Sequence, residues 1–96
     1  MNYYGEMAQR HWARWLPRQY AAIEDPDSYF GDLGNRVEAR IDELADQLAG
    51  GSPPGEGYLA RAGRIGQARR QAEEIVLMEM VLLEPEPGMD QETQPG

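Results

Sequence analysis

Six large apolar residues recur at intervals of three and four between positions 30 and 48, and this spacing constrains the fold most. They are Phe30, Leu33, Val37, Ile41, Leu44 and Leu48. Such intervals place all six on one narrow stripe of an α-helix, whereas a strand would scatter them over both faces. Asp25 suits the N-cap and Pro26 the first helical position, so we predict a helix that ends near Ala49. Gly31 and Gly34 cost roughly 1 kcal/mol each relative to alanine, which predicts either close helix approach or a poorly formed first turn.

A second amphipathic pattern opens the chain. Five residues share a helical stripe and Trp12 lies on its shoulder; the five are Tyr4, Met7, Ala8, His11 and Trp15. Pro17 has no backbone N–H and therefore breaks or kinks this helix. The following residues, 18–23, are predicted to form a short turn of helix or a continuation at a new angle.

A third helix follows a loop. Gly50 can cap the preceding helix in the left-handed conformation, and the prolines of "GGSPPGEG" (50–57) prevent its continuation. The third helix is predicted from about Tyr58 to Leu83. Residues 84–96 contain acids and prolines without periodicity, which predicts a disordered acidic tail. The expected fold is all-α: an antiparallel three-helix bundle over residues 1–83, with a helix break near Pro17.

The end of the third helix is apolar on every side. Eight of the nine residues from Ile75 to Leu83 are apolar. Two neighbouring helices cover two sides of such a helix, so the rest must meet a partner or a second copy, or be wrapped by the N-terminal aromatic residues. A membrane anchor is the competing interpretation, but the neighbouring acids would be repelled by anionic lipid. We predict a protein interface formed by Trp12, Trp15, Leu77, Met78, Met80 and Val81.

Glu79 lies at the centre of the main apolar stripe of this third helix. An unpaired buried carboxylate is costly, so the position predicts a structural polar pair. The candidate partners are Arg36 or Arg40 of the second helix, or Tyr4 or His11 of the first.

The sequence offers no set of residues for catalysis. The chain has no cysteine and a single histidine, His11, which we interpret as hydrogen-bonded at the edge of the core. No metal-ligand spacing is found, and neither a cofactor nor a small-molecule substrate is expected. A net charge of −8 disfavours non-specific nucleic-acid binding. The candidate nucleic-acid contacts are Arg61, Arg64, Arg69 and Arg70, which scatter around the helix and could equally pair with the acidic middle helix.

Most of residues 3–83 resembles a known family. "YGEM" at 4–7, the aromatic-rich helix after it, the middle amphipathic helix and "RIGQARRQAEEIVLMEMV" at 64–81 are similar to the small TnpV-type transposon-encoded proteins. The matching positions of the segment 64–81 are Arg64, Ile65, Ala68, Arg69, Ala72, Glu73, Glu74, Ile75, Val76, Leu77 and Glu79. The resemblance implies a gene carried on a transposon, integrative element or phage, and it implies no activity or catalytic residues. The acidic tail and the Gly- and Pro-rich loop depart from the family's pattern.

These observations predict a non-catalytic accessory protein of a mobile genetic element that acts by helix-mediated protein contact, with a protein partner or as a homodimer. The absence of a signal peptide or an apolar span predicts a cytoplasmic protein. One alternative is a small nucleic-acid-binding regulatory protein that uses the arginines of the third helix. Another is an acidic inhibitor or antitoxin-like protein whose surface mimics phosphates.

Overall fold

A computed structural model describes residues 1–89 of the chain and contains four α-helices in that range. They are α1 (Tyr3–Trp15), α2 (Pro17–Ala21), α3 (Pro26–Ala49) and α4 (Tyr58–Met80). The all-α prediction is confirmed. The break near Pro17 is confirmed as well, because Leu16 leaves the helical conformation with φ −127° and ψ 54°. None of the helices within residues 1–89 is long and apolar enough to cross a membrane.

Helix α3 has the predicted bounds, and its two ends are capped by the residues that the sequence indicated. The Asp25 side chain accepts a hydrogen bond from the Ser28 N–H at 3.2 Å, and Pro26 occupies the first turn. At the other end Gly50 has φ 63°, a left-handed value that favours glycine, and its N–H donates to the Asp46 carbonyl. Local caps therefore mark both ends of this helix.

The core lies where α1, α3 and the second half of α4 meet. Its fully buried large side chains are Leu16, Phe30, Val37, Ile41, Val76 and Val81. Helix α3 is the central element, because it packs against α4 along its length and against α1 near its N-terminus. The predicted stripe from Phe30 to Ile41 is buried, whereas Leu48 at its end is exposed.

Helices α1 and α3 approach each other at two glycines. A Cβ atom on Gly34 would lie 2.7 Å from the backbone nitrogen of Gly5 and 2.9 Å from its Cα. A Cβ on Gly5 would lie 2.5 Å from the Phe30 carbonyl oxygen. These distances are too short for any side chain, so the backbones pack directly. The expectation of close approach is confirmed for Gly34, whereas Gly31 has nothing within 4 Å of its Cβ position.

The molecule is long and thin. Its principal extents are 55, 36 and 16 Å, and the radius of gyration of 17.2 Å exceeds the roughly 12 Å expected for a compact chain of this length. Side-chain hydrogen bonds from α1 reach Glu38 on α3 and Glu73 on α4. The remaining length of the α3–α4 pair, residues 42–66, is here called the distal segment.

The predicted boundary of the ordered domain at Leu83 is wrong, since residues 84–89 continue to pack against α1 and α2. The Glu86 side chain is only 8 % exposed, and its backbone N–H donates to the Trp15 carbonyl at 2.9 Å. Acid- and proline-rich composition predicted disorder because it supplies little apolar burial, but here hydrogen bonds hold the segment. Residues 90–96, the rest of the predicted tail, lie outside the described residues.

Candidate protein-contact surfaces

Two of the six predicted interface residues, Trp12 and Val81, belong to the core. The Trp12 side chain is 7 % exposed and its ring meets Phe30 edge-on, with centroids 5.4 Å apart. Its indole N–H donates to the Val81 carbonyl at 3.1 Å. Helix α4 ends at Met80, so this carbonyl has no partner one turn further on and accepts from the indole instead. The interface prediction is therefore wrong for both residues.

The other four interface residues range from partly buried to exposed. Leu77 and Met80 are partly buried and pack against the core. Trp15 is also partly buried, and the Arg14 guanidinium lies 4.5 Å from its ring centroid. Met78 is 66 % exposed. Of the predicted set, Met78 is therefore the residue that presents most of its side chain to solvent.

Most of the apolar segment from Ile75 to Leu83 is covered within the chain. Val76 and Val81 are buried, and Leu82 and Leu83 pack partly against the core. The cover comes from the N-terminal aromatic helix, which was the intramolecular alternative left open by the sequence. Ile75 and Met78 remain exposed on the face of α4 that also carries Gln71.

Glu79 does not form the predicted polar pair, because its side chain is exposed. The candidate partners bond elsewhere: Arg36 with Asp32, Arg40 with Glu43, Tyr4 with Glu73 and His11 with Leu83. The buried residues of α4 follow the row 68, 72 and 76. Each step of four residues advances about 40° around a helix, so by position 79 the buried side has rotated away. A single fixed stripe was the wrong reference for a helix of this length.

A polar contact that the sequence did not identify joins α1 to α4. The Tyr4 hydroxyl donates to the Glu73 carboxylate at 2.9 Å, and both side chains are partly buried. Burial, together with this carboxylate, raises the pKa of the Tyr4 phenol above its ordinary value. The signal available in the sequence was a phenol on the apolar stripe of α1, which needs a polar acceptor at the edge of the core.

His11 lies at the edge of the core as predicted. Its Nε2 donates to the Leu83 carbonyl at 2.8 Å, since a carbonyl oxygen can only accept. Within residues 1–89 no group of three or more histidine, aspartate and glutamate side chains is placed to hold a metal ion. Among the described residues, the His11 imidazole is thus partly buried and hydrogen-bonded to the segment that follows α4.

The four candidate nucleic-acid arginines have different surroundings. Arg64 is three-quarters buried, donates to Glu56 at 2.8 Å through Nε, and also donates to the Ala49 carbonyl and the Ser52 hydroxyl. Its guanidinium bonds hold the pKa of the Glu56 carboxyl below its usual range. Arg69 donates to Asp42 of α3 at 2.7 Å. Arg61 and Arg70 are exposed.

Arg64 and Arg69 therefore act within the fold. Arg69 pairs with an acid of the middle helix, as the alternative predicted, whereas the carboxylate that Arg64 contacts is Glu56 of the loop. Arg64 binds the carbonyl at the C-terminus of α3 and closes the loop 50–57 over it. With these two engaged, the four arginines do not form one continuous cationic surface. A shallow groove next to them is lined by charged residues from both helices, among them Asp42, Asp46, Arg61 and Arg69.

The exposed large apolar side chains concentrate on the α3–α4 pair. The seven on this pair are Tyr29, Leu48, Tyr58, Leu59, Ile65, Ile75 and Met78. Tyr58 and Leu59 are 83 % and 82 % exposed, and they form the first turn of α4 at the end of the distal segment. Five of the seven lie on α4, and these five are called the α4 apolar set below.

In comparisons with known proteins, no protein-family model, no curated protein and no solved structure matches the chain.

Proposed function

We propose that the chain is a non-catalytic accessory protein that works by helix-mediated contact with another protein, and that the α4 apolar set forms the contact. The scaffold that presents this set is, in our proposal, an antiparallel three-helix bundle of α1, α3 and α4. The proposal retains the predicted mode of action. It keeps Met78 of the predicted interface and replaces the buried Trp12 and Val81 by other exposed residues of the α4 apolar set, above all Tyr58 and Leu59.

One observation carries the proposal: two large apolar side chains, Tyr58 and Leu59, stand almost fully in water at one end of the molecule. A scattered single apolar residue on a surface needs no explanation. Tyr58 and Ile65, seven residues apart, share one side of α4, and together with Leu59 at the same end they form a ready anchor for a partner. Aromatic residues, leucine, isoleucine and methionine are the side chains that supply contact area in interface cores.

The biological setting is the second part of the proposal. We place the protein in the cytoplasm and its gene on a mobile genetic element. The first placement rests on composition, and the second on the resemblance to TnpV-type proteins. The genes adjacent to its coding sequence test the setting. A recombinase, an integrase or phage genes within the same element would support it, and a stable position among housekeeping genes would contradict it.

Affinity capture with matched variants tests the contact. The tagged wild-type protein, the double variant Leu59→Ser/Met78→Ser and the control Tyr3→Ser are compared in cells that carry the gene. Tyr3 is a large exposed side chain outside α4, so its replacement controls for lost surface hydrophobicity. We expect that the recovered amount of a partner captured by the wild type and the control falls roughly tenfold or more with the double variant. Equal recovery with all three proteins would contradict the proposal.

The acidic-inhibitor alternative is tested in the same cells with a chain that stops after Met89. This end point keeps Glu86, which packs against α2, and removes the acids at 90 and 92. Charge mimicry by the tail predicts loss of the partner from this shortened chain. Contact through the α4 apolar set predicts that the partner is retained.

A further inference from the structure

The segment that follows α4 runs back along α1 and is held there by polar contacts. This segment, residues 81–89, is called the strap. The Val81 carbonyl accepts from the Trp12 indole and the Leu83 carbonyl from His11. Further along, the Glu86 N–H donates to the Trp15 carbonyl. The strap thus follows the last two turns of α1 and covers the side that carries both tryptophans.

The Glu86 side chain makes the densest set of contacts in the strap. One carboxylate oxygen accepts from the Arg18 backbone N–H at 3.0 Å and from the Arg18 Nε at 3.2 Å. The other accepts from the Gln19 N–H at 3.0 Å. The Arg18 guanidinium also donates to the Pro87 carbonyl at 3.2 Å.

These contacts complete an otherwise uncapped helix. Helix α2 begins at Pro17 directly after Leu16, and Leu16 provides no side-chain hydrogen bond to its first N–H groups. A helix N-terminus leaves such donors unsatisfied unless a side chain, water or another group accepts from them. Glu86 supplies the acceptors from the far end of the chain. Attachment of residues 84–89 and capping of α2 are therefore coupled.

Most of the contacts that hold the last part of the strap, residues 84–89, are made by the Glu86 carboxylate, whereas residues 81–83 are packed in or against the core. Burial raises the pKa of Glu86, but the backbone N–H groups of Arg18 and Gln19 and the Arg18 guanidinium outweigh burial and leave the pKa below its ordinary value. Protonation would replace one acceptor by a donor and remove the attraction to Arg18. The other ionisable groups near the strap are His11, which can donate to the Leu83 carbonyl in either protonation state, and Glu84, which is exposed.

We propose that the last part of the strap, residues 84–89, is an acid-released latch: ionised Glu86 holds it closed over α1 and α2, and neutralisation of Glu86 lets it detach while residues 81–83, α3 and α4 stay folded. Because the native pKa is depressed, the carboxylate stabilises the closed strap at every pH above its ordinary pKa. That stabilisation is lost as the pH falls through the native value. Detachment exposes Trp15 and uncaps α2. The inference concerns a surface other than the α4 apolar set and stands apart from the proposed function.

The test compares Glu86→Gln with Glu84→Gln. The control removes an equal charge from the exposed side chain of Glu84, two residues before Glu86. Amide exchange at Arg18 and Gln19 reports the cap, and acrylamide quenching reports Trp12 and Trp15, the two tryptophans of the chain. At neutral pH we expect the amides of Arg18 and Gln19 to exchange roughly tenfold faster or more in Glu86→Gln than in the wild type. Quenching of tryptophan fluorescence should increase, and amide exchange at Val37 and Ile41 should be unchanged. Glu84→Gln should match the wild type.

The wild-type protein supplies a second measurement that needs no variant to fold. On acidification, the amides of Arg18, Gln19 and Glu86 should lose protection before those of Val37 and Ile41. The midpoint should lie below the ordinary pKa of a glutamate, and Glu86→Gln should show no step there. Loss of protection at all sites together, or unchanged exchange at Arg18 and Gln19 in Glu86→Gln, would overturn the proposal.

Discussion

The backbone nitrogen of Gly5 lies where a side chain on Gly34 would have to go, 2.7 Å from the position of a Gly34 Cβ atom. This contact is the point at which α1 crosses α3. It brings Trp12 against Phe30 and, directly after the end of α4, the Trp12 indole against the Val81 carbonyl. The cover over the apolar end of α4 thus depends on two residues without side chains.

Replacement of Gly34 by alanine should therefore separate α1 from α3. We expect Gly34→Ala to lower the free energy of unfolding by about 1–3 kcal/mol, because the added methyl group meets backbone that cannot move aside easily. Gly31→Ala is the matched control on the same helix, and it should raise stability by up to about 1 kcal/mol, since its Cβ enters open space. Urea denaturation of the two variants measures both values. Equal effects of the same sign would show that the close crossing is not formed.

Some of this arrangement could be predicted from the sequence and some could not. Asp25, Pro26 and Gly50 act through local backbone chemistry, so the bounds of α3 were predictable. Gly34 was recognised as a candidate for close approach, but its partner Gly5 comes from another helix and left no local signal.

The assignment of surfaces failed for a related reason. Glu79 and Val81 were assigned from a single straight stripe, whereas the buried row of α4 rotates along the helix and α1 covers its end. Glu86 was assigned to a disordered tail because its hydrogen-bond donors, Arg18 and Gln19, lie at the other end of the chain. Contacts over long sequence separations decided these positions.

Removal of the Glu79 carboxylate and removal of the Glu73 carboxylate, both on α4, should have different consequences. Glu79 is exposed, so Glu79→Leu should change the free energy of unfolding by less than about 0.5 kcal/mol. Glu73 accepts the Tyr4 hydroxyl, and Glu73→Gln should move the pKa of Tyr4 down toward its ordinary value. Resonances of labelled tyrosine rings, followed through alkaline pH, measure this shift. A Tyr4 midpoint that does not move in Glu73→Gln, or moves equally in Glu79→Gln, would refute the assigned pair.

Arg64 should control the loop between α3 and α4. Arg64→Ala removes the donors to Glu56 and to the Ala49 carbonyl, so the amides of residues 50–57 and the last turn of α3 should exchange faster. Arg61→Ala, three residues earlier and exposed, removes the same charge and should leave these amides unchanged. If both variants accelerate exchange alike, net charge and not the Arg64 contacts governs the loop.

Nucleic-acid binding should be weak, because Arg64 and Arg69 are engaged inside the chain and the net charge is −8. We expect no detectable complex with duplex DNA or RNA at low salt, as measured by fluorescence anisotropy. The informative control is Arg61→Ala/Arg70→Ala, which removes the two exposed arginines. Binding that falls steeply with salt and is lost in this double variant would support the nucleic-acid alternative.

The central claim is that the α4 apolar set contacts another protein, and photo-cross-linking in living cells tests it most directly. A photoreactive amino acid is placed separately at position 59, at position 78, and at position 35, where the exposed polar residue Asn35 of α3 serves as the control. The account predicts a discrete protein adduct from positions 59 and 78 and only background from position 35. The same background at all three positions would contradict it.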